Sequence, residues 1–94
     1  MAVVVDVRFD DLTIKDYDAV MKEAGLVGAN ADQVLGLIAH YAFEEDGNLR
    51  VVDIFETAEH WQTSMAESIG PAAARAGVAV NPKANVTNLH NSML

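Results

Sequence analysis

The sequence contains no cysteine and few basic side chains, and each shortage removes a class of function. Without cysteine there is no disulfide framework, thiolate metal site, redox dithiol or thiol nucleophile, so histidine and carboxylates must supply any metal ligands. Six Lys and Arg against 14 Asp and Glu give a formal charge of −8. Such a surface repels nucleic acid and anionic membranes. No apolar run approaches the roughly 18 to 20 residues that span a bilayer. The first residues include Asp6, Arg8, Asp10 and Asp11, unlike a signal peptide or anchor. A cytoplasmic protein without a membrane or nucleic-acid partner is therefore expected.

What is present describes an ordinary globular chain. It has 94 residues, of which 51% are hydrophobic and 21% charged. That length predicts one domain over 1–94 with a thin core, which a second copy would usefully extend.

Val3 to Phe9 is rich in β-branched residues and reads as a first strand, with Val3, Val5, Val7 and Phe9 on its more apolar side. Thr13 and Asp16 form an acidic capping box for a helix whose apolar stripe is Ile14, Tyr17, Val20, Met21 and Ala24, ending at Gly25. Two β-type runs then flank Asp46-Gly47, the preferred centre of a type I′ hairpin. Thr57 caps a second helix from Ala58 to about Glu67. The segment Ser68 to Pro71 interrupts it before a short helix over Ala72 to Ala76. A last strand is expected from Asn85 to about Met93. The order β-α-β-β-α-β, with its second helical region broken, predicts an α+β ferredoxin-like fold.

The hairpin register carries most of the chemistry. An even loop at Asp46-Gly47 sets His40 opposite Asp53, Ala39 opposite Ile54 and Ile38 opposite Phe55. One face then carries Leu35, Leu37, Ala39, Tyr41, Phe43, Val52 and Ile54, and is expected beneath the helices. The other carries Ile38, His40, Ala42, Leu49, Val51, Asp53 and Phe55. Because both faces are apolar, the second is expected to meet the sheet of a second subunit, giving a homodimer.

Directly opposed side chains are close enough for an Asp53 carboxylate to fix the His40 tautomer, leaving the other ring nitrogen as a base. The same pair also suits a satisfied polar contact within an interface. Ile38 and Phe55 are expected to wall a flat apolar cavity beside it. Arg8 suits either a salt bridge or a ligand oxyanion. Asn88 and His90 share the parity that would add polar groups near His40. His60 reads as helix surface and Trp61 as core. The histidines lack the HxH and HExxH spacings, so a metal requires His40, Asp53 and His90 to converge in space. No phosphate loop or serine elbow is present.

The stretch from Gly36 through His40, Asp46-Gly47 and Asp53 to Trp61, followed by Pro71 and Gly77, resembles the dimeric α+β barrel superfamily, and within it the antibiotic-biosynthesis monooxygenase-like domains. Phe55-Glu56-Thr57 stands where that family commonly has Trp-Glu-Ser. The resemblance implies a dimer with facing sheets and, in some members, cofactor-independent oxygenation of activated polyphenols. Haem-degrading members use a first-strand Asn, a helix Trp and a His about ten residues later. Here Trp61 matches the Trp, but Pro71 occupies the His position and the first strand has no Asn. The resemblance thus implies an oxygenase needing no cofactor. On that route the hairpin pair is expected to supply His40 as proton acceptor and Asp53 as its orienter, with Arg8 or Asn88 near the developing oxyanion. The alternative is a small-ligand binding or structural protein on the same fold.

Overall fold

A computed structural model describes residues 1–94. Strand β1 (Val3–Phe9) leads to helix α1 (Ile14–Ala24), a single 3₁₀ turn at Ala31–Gln33, and the hairpin β2 (Leu37–Glu45) and β3 (Asn48–Phe55). Helix α2 (Ala58–Ser64), a π turn at Met65–Ile69, helix α3 (Gly70–Ala76) and strand β4 (Lys83–Asn88) complete the chain. The antiparallel sheet has the order β2-β3-β1-β4, which is the ferredoxin-like topology. Its helices cover one face, and the sheet of this single chain remains open. No helix is long and apolar enough to cross a membrane.

Local signals translate directly into these elements. Asp16 backbone N–H donates to Thr13 Oγ1, and Thr13 N–H donates back to Asp16 Oδ2, closing the expected capping box. Asp46 and Gly47 have φ values of 52° and 78°, so both turn residues adopt the left-handed conformation of a type I′ hairpin. The second helical region follows a continuous right-handed path at Ser64, Met65, Ile69 and Gly70. The expected interruption is therefore a π turn. Pro71 brings no N–H and follows a widened turn in which Gly70 N–H donates to Met65 C=O. Val20 of α1 packs against Ala72 and Ala73 of α3, whose small side chains allow close approach.

The pairing reverses the expected sides of the hairpin. Val3 stands opposite Phe55, Val5 opposite Asp53, Val7 opposite Val51 and Phe9 opposite Leu49. Opposed residues of an antiparallel pair point to the same side of the sheet. Since Val3, Val5, Val7 and Phe9 are buried with Leu12, Tyr17 and Trp61 packed on their cluster, Leu49, Val51, Asp53 and Phe55 also face the helices. Val52, Ile54, Tyr41 and Phe43 lie on the open side, with Tyr41 57% and Phe43 40% exposed. Either face of the hairpin alone is apolar enough to be covered. The adjoining β1 settles which one is.

Two strand boundaries also differ. A β-bulge shifts the register between Leu37 and Ala39, so Leu37, not Ile38, stands opposite Phe55. Strand β4 ends at Asn88, leaving His90 outside the sheet and exposed. Asn85, Asn88, Asn91 and His90 give this segment low β propensity, consistent with its early end.

Candidate functional site

The site lies between sheet and helices. Antiparallel pairing brings His40 of β2 opposite Asp53 of β3, as the hairpin signal predicts. Their side chains meet with His40 Nδ1 2.5 Å from Asp53 Oδ1. Helix α1 adds a third member, Tyr17, whose hydroxyl lies 2.5 Å from His40 Nε2. With Asp53 accepting the Nδ1 proton, Nε2 keeps its lone pair and accepts from Tyr17 O–H. The result is a chain of hydrogen bonds from Tyr17 through His40 to Asp53.

Each member is held by its element. Tyr17 is four residues beyond the Thr13 cap, on the stripe that α1 turns toward the sheet. Its backbone N–H donates to Thr13 C=O, fixing the first helical turn beneath the side chain. The Asp53 side chain is only 11% exposed and His40 is 30% exposed, so the carboxylate is shielded while the imidazole retains an accessible edge. Burial, followed by the negative charges of Asp53 and Asp18, raises the Tyr17 pKa above its ordinary value. Tyr17 is thereby kept as a neutral hydroxyl.

These groups border a cavity of about 410 Å³. That is within the range of roughly 300–1,000 Å³ found for small-molecule sites. Phe9, Leu37, Phe55, Trp61, Met65 and Val80 supply much of its apolar wall, and Leu26 to Ala31 contribute from the loop after α1. Phe55 therefore lines the His40 cavity, but on the helix side of the sheet and not on the side expected to face a second subunit. Trp61 serves both core and cavity.

The other expected ligand contacts are not assembled there. Ile38 does not line the cavity, because the bulge puts Leu37 in the position opposite Phe55. Arg8 alternates to the open face and pairs with Asp10 at 3.0 Å. Asp6, the other charged residue on this side of β1, is held by Arg50 at 2.6 Å. Asn88 and His90 are exposed and absent from the cavity wall. His90 therefore does not join His40 and Asp53, and no group of three His, Cys, Asp or Glu side chains is arranged to hold a metal. Tyr17 escaped the sequence reading of the site because its helical spacing already explained it as core. The signal available was a phenol on the same apolar stripe that would cover a strand bearing a histidine.

No family model matches this sequence, and no curated protein does. Similarity appears in solved structures. SnoaB, a cofactor-independent oxygenase from Streptomyces nogalater, superposes with a TM-score of 0.67 at 11% identity, covering 98% of this chain and 96% of that one. The ActVA-Orf6 monooxygenase of Streptomyces coelicolor, solved in complex with nanaomycin D, gives a TM-score of 0.57 at 15% identity, covering 99% and 90%. A dimeric protein of unknown function with a ferredoxin-like fold from Bacteroides fragilis gives 0.59 at 13% identity, covering 94% and 96%. At these identities the likeness is one of fold.

Proposed function

We propose that this protein is a cofactor-independent monooxygenase that oxidises a small phenolic or polycyclic aromatic substrate in the cavity between sheet and helices. The observation that carries this reading is an apolar cavity opening onto a histidine whose tautomer is fixed by a shielded carboxylate. An imidazole sealed inside an interface has no such access. The similarity in fold to SnoaB and ActVA-Orf6 supports the reaction class.

The chemistry requires a substrate that becomes electron-rich on losing a proton. In this mechanism the substrate hydroxyl, or the enol form of a ring ketone, gives its proton to Tyr17 Oη as the Tyr17 proton passes to His40 Nε2. Asp53 stabilises the imidazolium that results. The substrate anion transfers one electron to dioxygen, and recombination of the radical pair forms a carbon–oxygen bond. His40 returns its proton to the peroxide oxygen. Loss of water, with the second hydrogen of the oxidised carbon, leaves a quinone. One oxygen atom enters product and the other leaves as water, with all four electrons supplied by the substrate. His40 is the base, Asp53 its orienter, Tyr17 the proton relay, and Phe55 a wall that excludes water.

A homodimer belongs to the same proposal. The open face carries exposed Tyr41 and Phe43 beside half-buried Val4, Val52 and Ile54. Covering this face with the corresponding face of a second copy would close a dimeric α+β barrel and bury that surface at about 25 cal/mol per Å². The partner is thus assigned to the side opposite the cavity.

A binding protein without turnover is the second reading, favoured by one observation: Tyr17 already satisfies the Nε2 lone pair. Assays of hydroxyanthrones, hydroquinones and flavonols with and without air separate the two. The oxygenase forms product only in air and loses activity in a folded His40→Ala dimer. Ligand binding without oxygen uptake across the panel, or turnover unchanged by His40→Ala, would contradict the catalytic assignment.

A further inference from the structure

The charged groups around the cavity are of one sign. Asp16, Asp18 and Asp53 contribute to its wall, whereas no lysine or arginine does. Arg8, Arg50 and Lys83 are engaged on the open side of the sheet by Asp10, Asp6 and Glu45. The acids also have different duties. Asp53 holds His40, and Asp16 accepts from the backbone and hydroxyl of Thr13. Asp18 is exposed at the cavity margin, near enough for its charge to act on Tyr17.

We infer that the cavity selects uncharged aromatic alcohols and rejects their carboxylated analogues. The inference rests on the helix-side cavity being the substrate site, and it narrows the substrate class within that reading. A permanent carboxylate entering this space loses hydration, finds no cation and passes Asp18. A neutral hydroxyl loses little and meets Tyr17. Selection against an anion does not hinder ionisation during the reaction, because proton transfer creates a positive His40 at the same moment as the substrate anion. A cationic ligand gains little, since the inner carboxylates are already spent on His40 and Thr13. The negative wall is therefore a filter on what enters, and the imidazole supplies the countercharge only when a proton has moved.

The test compares methyl 6-hydroxy-2-naphthoate with 6-hydroxy-2-naphthoate by titration calorimetry near neutral pH. These share a ring and hydroxyl, and differ chiefly in whether the carboxyl is esterified or ionised. The ester should bind the wild-type protein at least about tenfold more tightly, a difference of about 1.4 kcal/mol. Asp18→Lys should narrow that gap several-fold by improving carboxylate affinity, while Asp18→Asn should narrow it less. Equal or tighter binding of the carboxylate, no binding of the ester, or a gap unchanged by Asp18→Lys would overturn the inference. The readout is independent of turnover. Failure to consume oxygen would defeat the oxygenase reading and leave this preference intact, whereas loss of the preference in an active enzyme would defeat only the filter.

Discussion

Asp53 Oδ1 lies 2.5 Å from His40 Nδ1 across adjacent strands, and that contact sets which imidazole nitrogen faces the cavity and Tyr17. Tautomer and orientation are therefore products of strand register. Replacing His40 by alanine should lower turnover by about 10²–10⁴-fold, the usual contribution of a positioned general base. Asp53→Asn should lower it as well, with a smaller effect on ligand affinity, because the ring loses the carboxylate that stabilises its charged form. Steady-state kinetics on folded variants checks both. A change confined to KM would show that the pair binds substrate without moving its proton.

Tyr17→Phe separates the relay from the base. It retains the aromatic contact with the cavity and removes only the hydroxyl. Turnover should fall about 10- to 100-fold, less than in His40→Ala. Unchanged or faster turnover would mean that Tyr17 merely covers the base.

The same substitution has a signature in alkaline stability. Tyr17 has a raised pKa in the folded protein, so the unfolded chain releases its proton first as pH rises past the ordinary value of 10.0. Above that value the unfolded state binds fewer protons than the folded state, and stability falls with pH until folded Tyr17 also ionises. Below it the contribution is fully present. Urea midpoints measured from about pH 8.5 to about pH 11 should therefore decline less steeply in Tyr17→Phe than in wild type. Parallel declines would show that the phenol is not shielded.

Gly36→Ala should destabilise the fold by about 1–3 kcal/mol. Gly36 has φ of +79°, and a Cβ there would stand 2.3 Å from His60 Cγ. Removing the imidazole in Gly36→Ala/His60→Ala takes away the two nearest contacts and leaves the His60 Cβ at 2.7 Å, so it should recover only part of the loss. The left-handed backbone strain remains. Chemical denaturation of the single and double variants measures each contribution, and an unaltered midpoint in Gly36→Ala would refute the packing described.

The open sheet face makes its own prediction. Ile54→Asp puts a carboxylate between its cross-strand partners Val4 and Ala39, beside Val52 and Tyr41, on the face assigned to a second copy, while leaving the cavity side untouched. It should shift a homodimer to monomer at micromolar concentration in sedimentation velocity. A wild-type monomer, or a dimer indifferent to this change, would place the subunit contact elsewhere.

Much of this architecture is written in local patterns. Thr13 with Asp16 starts α1, Asp46-Gly47 sets the hairpin, and that register alone brings His40 to Asp53. What local patterns do not contain is sidedness. Val52 and Ile54 are as hydrophobic as Val51 and Phe55, so alternation within β3 has two consistent solutions, and only its pairing with β1 chooses between them. The bulge at Ile38 likewise depends on neighbouring structure, and it moves one wall residue from 38 to 37. Tyr17 joins the site through tertiary packing of α1, at 23 residues' separation from His40. Arg8 shows the converse. Its charge suggested an oxyanion partner, but strand alternation sends it to the face away from the cavity.

The most direct measurement is histidine-selective ¹⁵N NMR of the protein saturated anaerobically with 1,8-dihydroxyanthrone, where oxygen cannot consume the substrate anion. Proton transfer to His40 requires that it change from a singly protonated imidazole to an imidazolium as the bound ligand ionises, while His60 and His90 keep their free-protein signals. A saturated complex in which the ligand is ionised and His40 still carries one proton would contradict it.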